Sequence, residues 1–418
     1  PRHCTINTFF NDMMGGYIIG PYLNEYYNGH DDEFHRQVAD VDARIQLVMD
    51  LRRGKLLKVF PYTVNGNTTW YAPTDIMPDS AVAPADRQYM QNVFSLIYQE
   101  ALAGNMASVG NIADKMLRYQ HKNGGSSLPS DMQTRAERLY NAVPFATILF
   151  MLNLGMGFAT LFAVLWLMTR PTRRTLRGSM LMKIAVAVML LSFAALTLCV
   201  ALRWLIRGTA PMANGYETML LMAWIIMAAS LLLCRRFAIV LTFGFIMSGF
   251  FLLVSHISQM DPQITHIMPV LQSPLLSIHV SVIMTAFALL SLTFICGITA
   301  LLLRAMRGSR AEGLAAQLAA LRALSQLFYY PAMAALAVGI FVGAVWANVS
   351  WGTYWSWDAK EVWALITFMV YAAAAHGTSL PMMRRPMPWH VFMVAAFATI
   401  LMTYFGVNYF LGGMHSYA

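Results

Sequence analysis

Trp351-Gly-Thr-Tyr-Trp-Ser-Trp-Asp-Ala-Lys-Glu-Val-Trp363 packs four tryptophans, one tyrosine, two carboxylates and a lysine into thirteen residues. Apolar runs of membrane-spanning length flank it on both sides. A loop between two spans has no core of its own in which to bury four indoles. Such rings either sit among lipid headgroups or line a face for a flat, apolar ligand. One or two scattered tryptophans read as a headgroup belt. Trp351, Trp355, Trp357 and Trp363, set beside Tyr354, Asp358 and Glu361, exceed a belt and point to a binding platform.

Composition sets the solvent. The 418 residues are 58% hydrophobic and 12% charged, about half the charged fraction of a soluble globular protein. The expected fold is an all-α polytopic membrane protein of about eight transmembrane helices with a small α+β extracytoplasmic N-terminal domain. The net charge of +9 is unevenly divided: −2 over residues 1–142 and +11 over 143–418. Lysine and arginine between apolar spans report topology rather than nucleic acid, so a nucleic-acid role is set aside. Cys4, Cys199, Cys234 and Cys296 lie far apart. With no Cys-x-x-Cys the chain is not a thiol–disulfide exchanger, and with no Cys-x-x-Cys-His it carries no covalent c-type haem of its own.

Residues 1–142 form the expected soluble domain. Asn65-Gly66 between Lys55–Val64 and Asn67–Tyr71 marks a hairpin. Residues 86–120 carry helical spacing, and Asn123–Ser130 reads as a linker. His3, His30, His35 and His121 lack a second ligand at metal spacing and read as surface side chains. From residue 143 onward, eight apolar spans follow, near 144–168, 181–202, 216–233, 237–255, 276–303, 329–348, 362–378 and 389–411, each close to the ~20 residues that cross a bilayer.

Thirteen of the sixteen cations of residues 143–418 fall in alternate loops. That bias directs those loops to the cytoplasm. The N-terminal domain, the Trp-rich loop and the C-terminus then face outward, on the periplasmic side. The chain opens Pro1-Arg-His-Cys without a signal-peptide core. The expectation is therefore the C-terminal part of a longer polypeptide or a truncated gene model. Leu314, Leu318, Leu321, Leu324 and Leu327 form a stripe expected as an interfacial amphipathic helix. Gly339-x-x-x-Gly343 allows close helix packing.

Six of the ten histidines lie after residue 143. His279 starts the fifth span and His415 follows the eighth, both at the outer face. Imidazole is a common haem ligand, and a six-coordinate haem takes two. Each alone reads as a solvated headgroup-level histidine, but with the indole platform between them in sequence they read as an axial pair. His376 ends the seventh span, where a functional role and a helix-packing role stand level. His256, His266 and His390 are left as structural. Tyr216-Glu217 opens the third span near Arg203 and Arg207, where the carboxylate is placed to hold an arginine.

The run Trp-Gly-x-Tyr-Trp-Ser-Trp-Asp-x-Lys-Glu-x-Trp-Ala-Leu-Ile-Thr over 351–367, continuing to Tyr371 and His376, resembles the tryptophan-rich WWD signature of haem-handling proteins. The CcsA/ResC type, the haem-handling half of the system II cytochrome c synthase, is the nearest likeness and covers about 143–418. The resemblance implies that His279 and His415 ligate an external haem b, and that His376 serves a haem site within the membrane. The axial partner of His376 would come from the CcsB/ResB component. Residues 1–142 resemble the end of the external CcsB-like domain of fused forms. Ala359, Val362 and Phe368 depart from the usual proline, threonine and tryptophan.

The function implied is a cytochrome c haem lyase of the bacterial inner membrane. It would transport haem outward and present it to the Cys-x-x-Cys-His of apocytochrome c, served by thiol-reducing partners and surrounded by membrane lipids. His279, His415 and Asp358 are the candidate catalytic residues; Trp351, Tyr354, Trp355, Trp357, Glu361, Trp363 and His376 complete the cofactor site. Rival readings are a system I haem chaperone or lyase, a b-type electron-transfer cytochrome and a transporter with an aromatic vestibule.

Overall fold

The computed structural model describes residues 4–11, 16–30, 32–64, 66–75, 82, 84–169, 179–257, 260, 262–264, 273–307 and 313–411. His3, Asn65, His266 and His415, each singled out above, lie outside the described residues. Two units divide the chain, Pro1–Ser130 and Asp131–Ala418.

In the first unit, β1 (Phe10–Asn11) and β2 (Gly16–Tyr17) pair antiparallel, and α1 (Gly20–Tyr27) and α2 (Glu33–Arg52) follow. β3 (Phe60–Val64) and β4 (Asn67–Tyr71) form the expected hairpin in the register Phe60↔Tyr71 to Val64↔Asn67. Gly66, at φ +82°, supplies the left-handed turn residue. Residues 86–120, expected to be helical from their spacing, are helical. They fall in two helices, α3 (Pro84–Leu102) and α4 (Met106–Asn123). The break falls at Gly104, whose φ of +78° only glycine adopts without strain, and its N–H bonds back to Ala101. The residues expected as a linker pack on the hairpin instead: Thr63 Oγ1 donates to the Asn123 carbonyl at 2.6 Å and Trp70 Nε1 to Ser127 Oγ at 3.0 Å.

His35 is not a surface histidine. It is buried between Asp32, the N-cap of α2, at 2.6 Å from Nδ1, and Glu25 of α1 at 3.0 Å from Nε2. Carboxylates at both ring nitrogens favour the imidazolium, and hydrogen bonds first to Glu25 and then to Asp32 raise the His35 pKa above its usual value. The stabilisation it contributes is complete below the unfolded pKa of about 6.5 and is lost as pH rises through the folded value. Amide exchange in α1 should therefore speed up between pH 6 and pH 9 beyond the intrinsic chemical rate. His35→Gln should abolish that excess. An identical excess in the variant would rule out this histidine as its source.

All regular secondary structure among the described residues of the second unit is helical. α5 (Asp131–Ala142) leads into α6 (Phe145–Thr169), α7 (Met180–Arg207), α8 (Gly215–Leu233), α9 (Ile239–His256), α10 (Pro274–Arg307), α11 (Leu314–Trp351), α12 (Ala359–Ala373) and α13 (Pro386–Leu401), which continues as a π-helix over Met402–Leu411. Polar side chains set the starts: Ser179 accepts from Met182 N at α7 and Asn214 from Glu217 N at α8. Gly208, left-handed at φ +78°, ends α7. Among the described residues, seven helices are long and apolar enough to cross a membrane. The protein is a multi-span membrane protein.

The seventh expected span, 362–378, is shorter in the structure than its apolar run. α12 has fifteen residues, about 22 Å at 1.5 Å each, and the chain turns from Ala374 into a 3-10 helix at Pro381–Arg384. Pro381 disfavours a helical residue before it, so the apolar run cannot continue as helix through Leu380.

The leucine stripe is also reassigned. It is the first third of the single 38-residue helix α11, with Pro331 inside it. Leu314, Leu318, Leu321 and Leu324 are buried, in phase with Phe328, Ala332 and Leu336 of the same core cluster. The stripe faces protein, principally α10, and not the membrane surface; Leu327 is off the seam and exposed.

Candidate functional site

α11 ends where the aromatic segment begins. Gly352, at φ +79°, closes the helix by donating its N–H to Asn348 O at 2.9 Å. Trp351 meets the buried Trp346 edge to face at 4.8 Å. The loop then runs to Asp358, the N-cap of α12, whose side chain accepts from Lys360 N at 3.0 Å. Glu361 reaches back to accept from Asp358 N at 3.3 Å and from Ser356 N at 2.8 Å. This capping box satisfies donors at the start of α12 and ties the loop to the helix. Both carboxylates are engaged with backbone N–H groups, Glu361 with the loop and Asp358 with the first turn of α12, which is orienting work.

What the loop presents is aromatic. Trp357 is 75% exposed and Tyr354 60% exposed. Trp355 stands perpendicular to Trp357 at 6.0 Å. The Trp355 Nε1 is buried, with no hydrogen-bond partner among the described residues. Trp357 is the one non-glycine at positive φ among the described residues, at +60°. A conformation of that kind costs about 1–3 kcal/mol and persists where the surroundings impose it. Here it turns the chain into the Asp358 cap and leaves the indole outward. Trp363 is half-buried on α12, and its carbonyl accepts from Thr403 at 3.2 Å. Thr367 and Thr403 also bond at 2.8 Å, joining α12 to the π-helical end of α13. Tyr404 of that segment bonds Thr218 near the start of α8 at 2.7 Å.

His279 sits one turn inside α10, against α11. Its Nδ1 is 2.8 Å from the Gly339 carbonyl. A carbonyl only accepts, so Nδ1 carries a proton; in the neutral ring that is the tautomer a metal ligand needs, with Nε2 as the ligating atom. The ring lies over Gly343. Trp351 follows Gly343 by eight residues of the same helix, about 12 Å along the axis. The structure thus brings His279 and the first indole of the loop to one end of α11. His415 lies outside the described residues. His376 is exposed in the turn that follows α12, its carbonyl accepting from Leu380 N at 2.8 Å.

Two further histidines among the described residues of this unit have structural partners. His390 is fully buried, with Nε2 3.2 Å from Leu318 O. His256 meets Thr147 at 3.2 Å and Phe150 at 5.4 Å between ring centres. Glu217 holds not one arginine but two. Arg203 Nη2 is 2.7 Å from its carboxylate and Arg207 Nη1 is 2.6 Å from it. Arg203 further donates to Tyr140 Oη at 2.6 Å and to Pro262 O at 2.7 Å, and its guanidinium stacks on Tyr216 at 4.9 Å. Both the Arg203 and Glu217 side chains are fully buried, so this cluster fastens α5, α7 and α8 together.

Among the described residues no cluster of three or more His, Cys, Asp or Glu side chains could hold a bare metal ion. Exposed aromatic rings and a histidine at the same end of α11 fit a metal carried inside an apolar macrocycle.

The sequence profile of the family described as cytochrome C assembly protein matches residues 212–415, the stretch that contains His279, the aromatic loop and His376. Protein NrfI of Wolinella succinogenes is 30% identical over 406 residues, covering 92% of this chain but 42% of its own length. The cytochrome c biogenesis protein CcsA of Guillardia theta is 31% identical over 252 residues, 54% of this chain and 83% of that protein. CcsA of Synechococcus sp. (strain CC9605) is 33% identical over 273 residues, 57% and 86%. The chain thus spans under half of NrfI and most of the shorter CcsA proteins, whose likeness covers little more than half of it. On this evidence the chain belongs to the CcsA family of cytochrome c biogenesis proteins.

Proposed function

We propose that this chain is the haem-presenting part of a cytochrome c synthase. It takes haem b from the cytoplasmic side of the inner membrane and holds it, as substrate, against the 351–363 loop at the outer face. His279 and His415 ligate the iron from opposite faces. Trp351, Trp355, Trp357 and Trp363, with Tyr354, contact the macrocycle. Asp358 and Glu361 position the loop through the capping box. The Cys-x-x-Cys-His segment of an apocytochrome then docks, and each thiol S–H adds across a haem vinyl C=C to give a thioether, with no leaving group. The protein's share is orientation, the exclusion of water and the holding of the iron; bond formation belongs to thiol and vinyl.

The observation that carries this reading is His279, its Nδ1 bonded to the Gly339 carbonyl, at the same end of α11 as an exposed aromatic loop. The thirteen cations on alternate loops support the outward direction of that end. The match to NrfI over 92% of this chain extends into residues 1–142. That supports reading them as part of a larger external, CcsB-like domain. The exposed His376 is accessible to a second ligand from another polypeptide segment, consistent with an inner site shared with a CcsB/ResB component.

Haem titration of the purified 418-residue chain tests both parts. One equivalent should bind with a six-coordinate spectrum, and the second should bind poorly until the CcsB-like half is supplied. No specific binding overturns the haem reading. Two tight bis-histidine equivalents in this chain alone overturn the shared inner site.

A further inference from the structure

α10 and α11 meet through a matched repeat. His279 and Ile283 stand four apart on α10; Gly339 and Gly343 stand four apart on α11. A Cβ added at Gly343 would lie 2.5 Å from His279 Cε1 and 2.7 Å from Nδ1. A Cβ added at Gly339 would instead meet the Ile283 side chain, at 2.5 Å from Cδ1 and 2.8 Å from Cγ1. The two glycines therefore do different things. Gly339 admits an aliphatic side chain and offers its carbonyl to Nδ1 at 2.8 Å. Gly343 leaves the space that the imidazole ring occupies. The ring is rigid and in contact along its Cε1–Nδ1 edge, so a methyl group at 343 displaces it as a body and breaks the bond to Gly339. The tip of Ile283 has rotamers with which to yield.

We propose that Gly339 and Gly343 are positioning residues for His279: Gly343 seats the ring and the Gly339 carbonyl fixes the tautomer that directs Nε2 at the iron. This rests on His279 being a haem ligand. It converts a helix-packing motif into part of the ligand's support, the role that outer hydrogen-bond partners play for metal-bound histidines elsewhere.

The test uses Gly343→Ala, Gly339→Ala, His279→Ala and the double variant His279→Ala/Gly343→Ala. Each is made in the complete synthase with an apocytochrome. Membrane accumulation, haem spectrum and covalent haem yield are read with and without added imidazole. Gly343→Ala should lower yield by about 10–100-fold, the range for loss of such support, and should lose the low-spin outer haem. Gly339→Ala keeps the carbonyl acceptor and should lose less yield and less of the low-spin signal than Gly343→Ala. Because removing the ring removes the clash, the double variant with imidazole should match His279→Ala with imidazole. If Gly343→Ala fails to accumulate, the double variant should restore accumulation. A normal spectrum and yield in Gly343→Ala overturns the proposal while leaving His279 as a ligand. So does a double variant that falls well below His279→Ala or fails to accumulate, since the glycine would then serve helix packing. A normal spectrum in His279→Ala overturns the ligand reading itself, and the positioning role with it.

Discussion

Replacing His279 or His415 by alanine should abolish covalent attachment of haem to apocytochrome c, a loss of at least about 100-fold in holocytochrome yield. The magnitude follows from what the imidazole supplies. A five-coordinate haem at the outer face is held by one axial bond and by contacts to indoles, and it is free to tilt. Misplacement of reacting atoms by about 1 Å costs on the order of 100-fold where orientation is the protein's main contribution. Loss of the second nitrogen ligand also opens the iron to water and oxidation. Imidazole in the medium replaces the missing ligand without a covalent tether and should restore part of the yield in either single variant. The double variant should recover less, since two tethers are gone. Holocytochrome formed at the normal level by the double variant would remove both histidines from the mechanism. The check is haem staining of the cytochrome after denaturing electrophoresis.

Glu217→Ala should be the most damaging substitution away from the loop. Glu217 accepts from both arginines of α7, and its own side chain is fully buried, as is that of Arg203. Without it two guanidinium groups remain in a low-dielectric site, Arg203 with only Tyr140 and Pro262 as neutral acceptors. Removing one partner of a buried ion pair costs about 3–5 kcal/mol because the other charge is left uncompensated. That is a large share of the ~5–15 kcal/mol by which a folded domain is stable. The carboxylate also accepts from Ala213 N at 2.9 Å, so the turn before α8 loosens as well. Membrane accumulation should fall severely and thermal unfolding in detergent should occur many degrees lower. Replacing the ionic set together, Arg203→Met/Arg207→Met/Glu217→Leu, should be far milder than Glu217→Ala, because no charge is left buried alone. Equal damage in the triple variant would mean that the cost lies in packing rather than in orphaned charge.

The aromatic loop and the pairing of Glu217 with an arginine were legible because both are matters of local composition. Four indoles in thirteen residues have few physical explanations, and a carboxylate beside two arginines at a span end has fewer. Element boundaries were less legible. Arg322, Ser325 and Gln326 interrupt the apolar run ahead of residue 329, so composition divides what is one continuous helix in α11. The burial of the leucine stripe depends on α10 lying against it, which no periodicity reveals. α12 stops at Ala373, although its apolar run goes on through Ala375. His35 reads as a surface residue until Glu25, ten positions earlier, folds against it. The meaning of Gly339 and Gly343 was hidden for the same reason. The repeat is visible in the sequence, but the imidazole that occupies it comes from sixty-four residues upstream of Gly343.

The proposed site is one haem iron bound between two imidazoles at the outer face. The most direct measurement is the absorption spectrum of the purified protein, oxidised and reduced, for the natural sequence and for His279→Ala. The natural protein should give a low-spin, six-coordinate spectrum in both redox states, and His279→Ala should convert it to a five-coordinate, high-spin one that imidazole reverses. A low-spin spectrum that His279→Ala leaves unchanged would contradict the account.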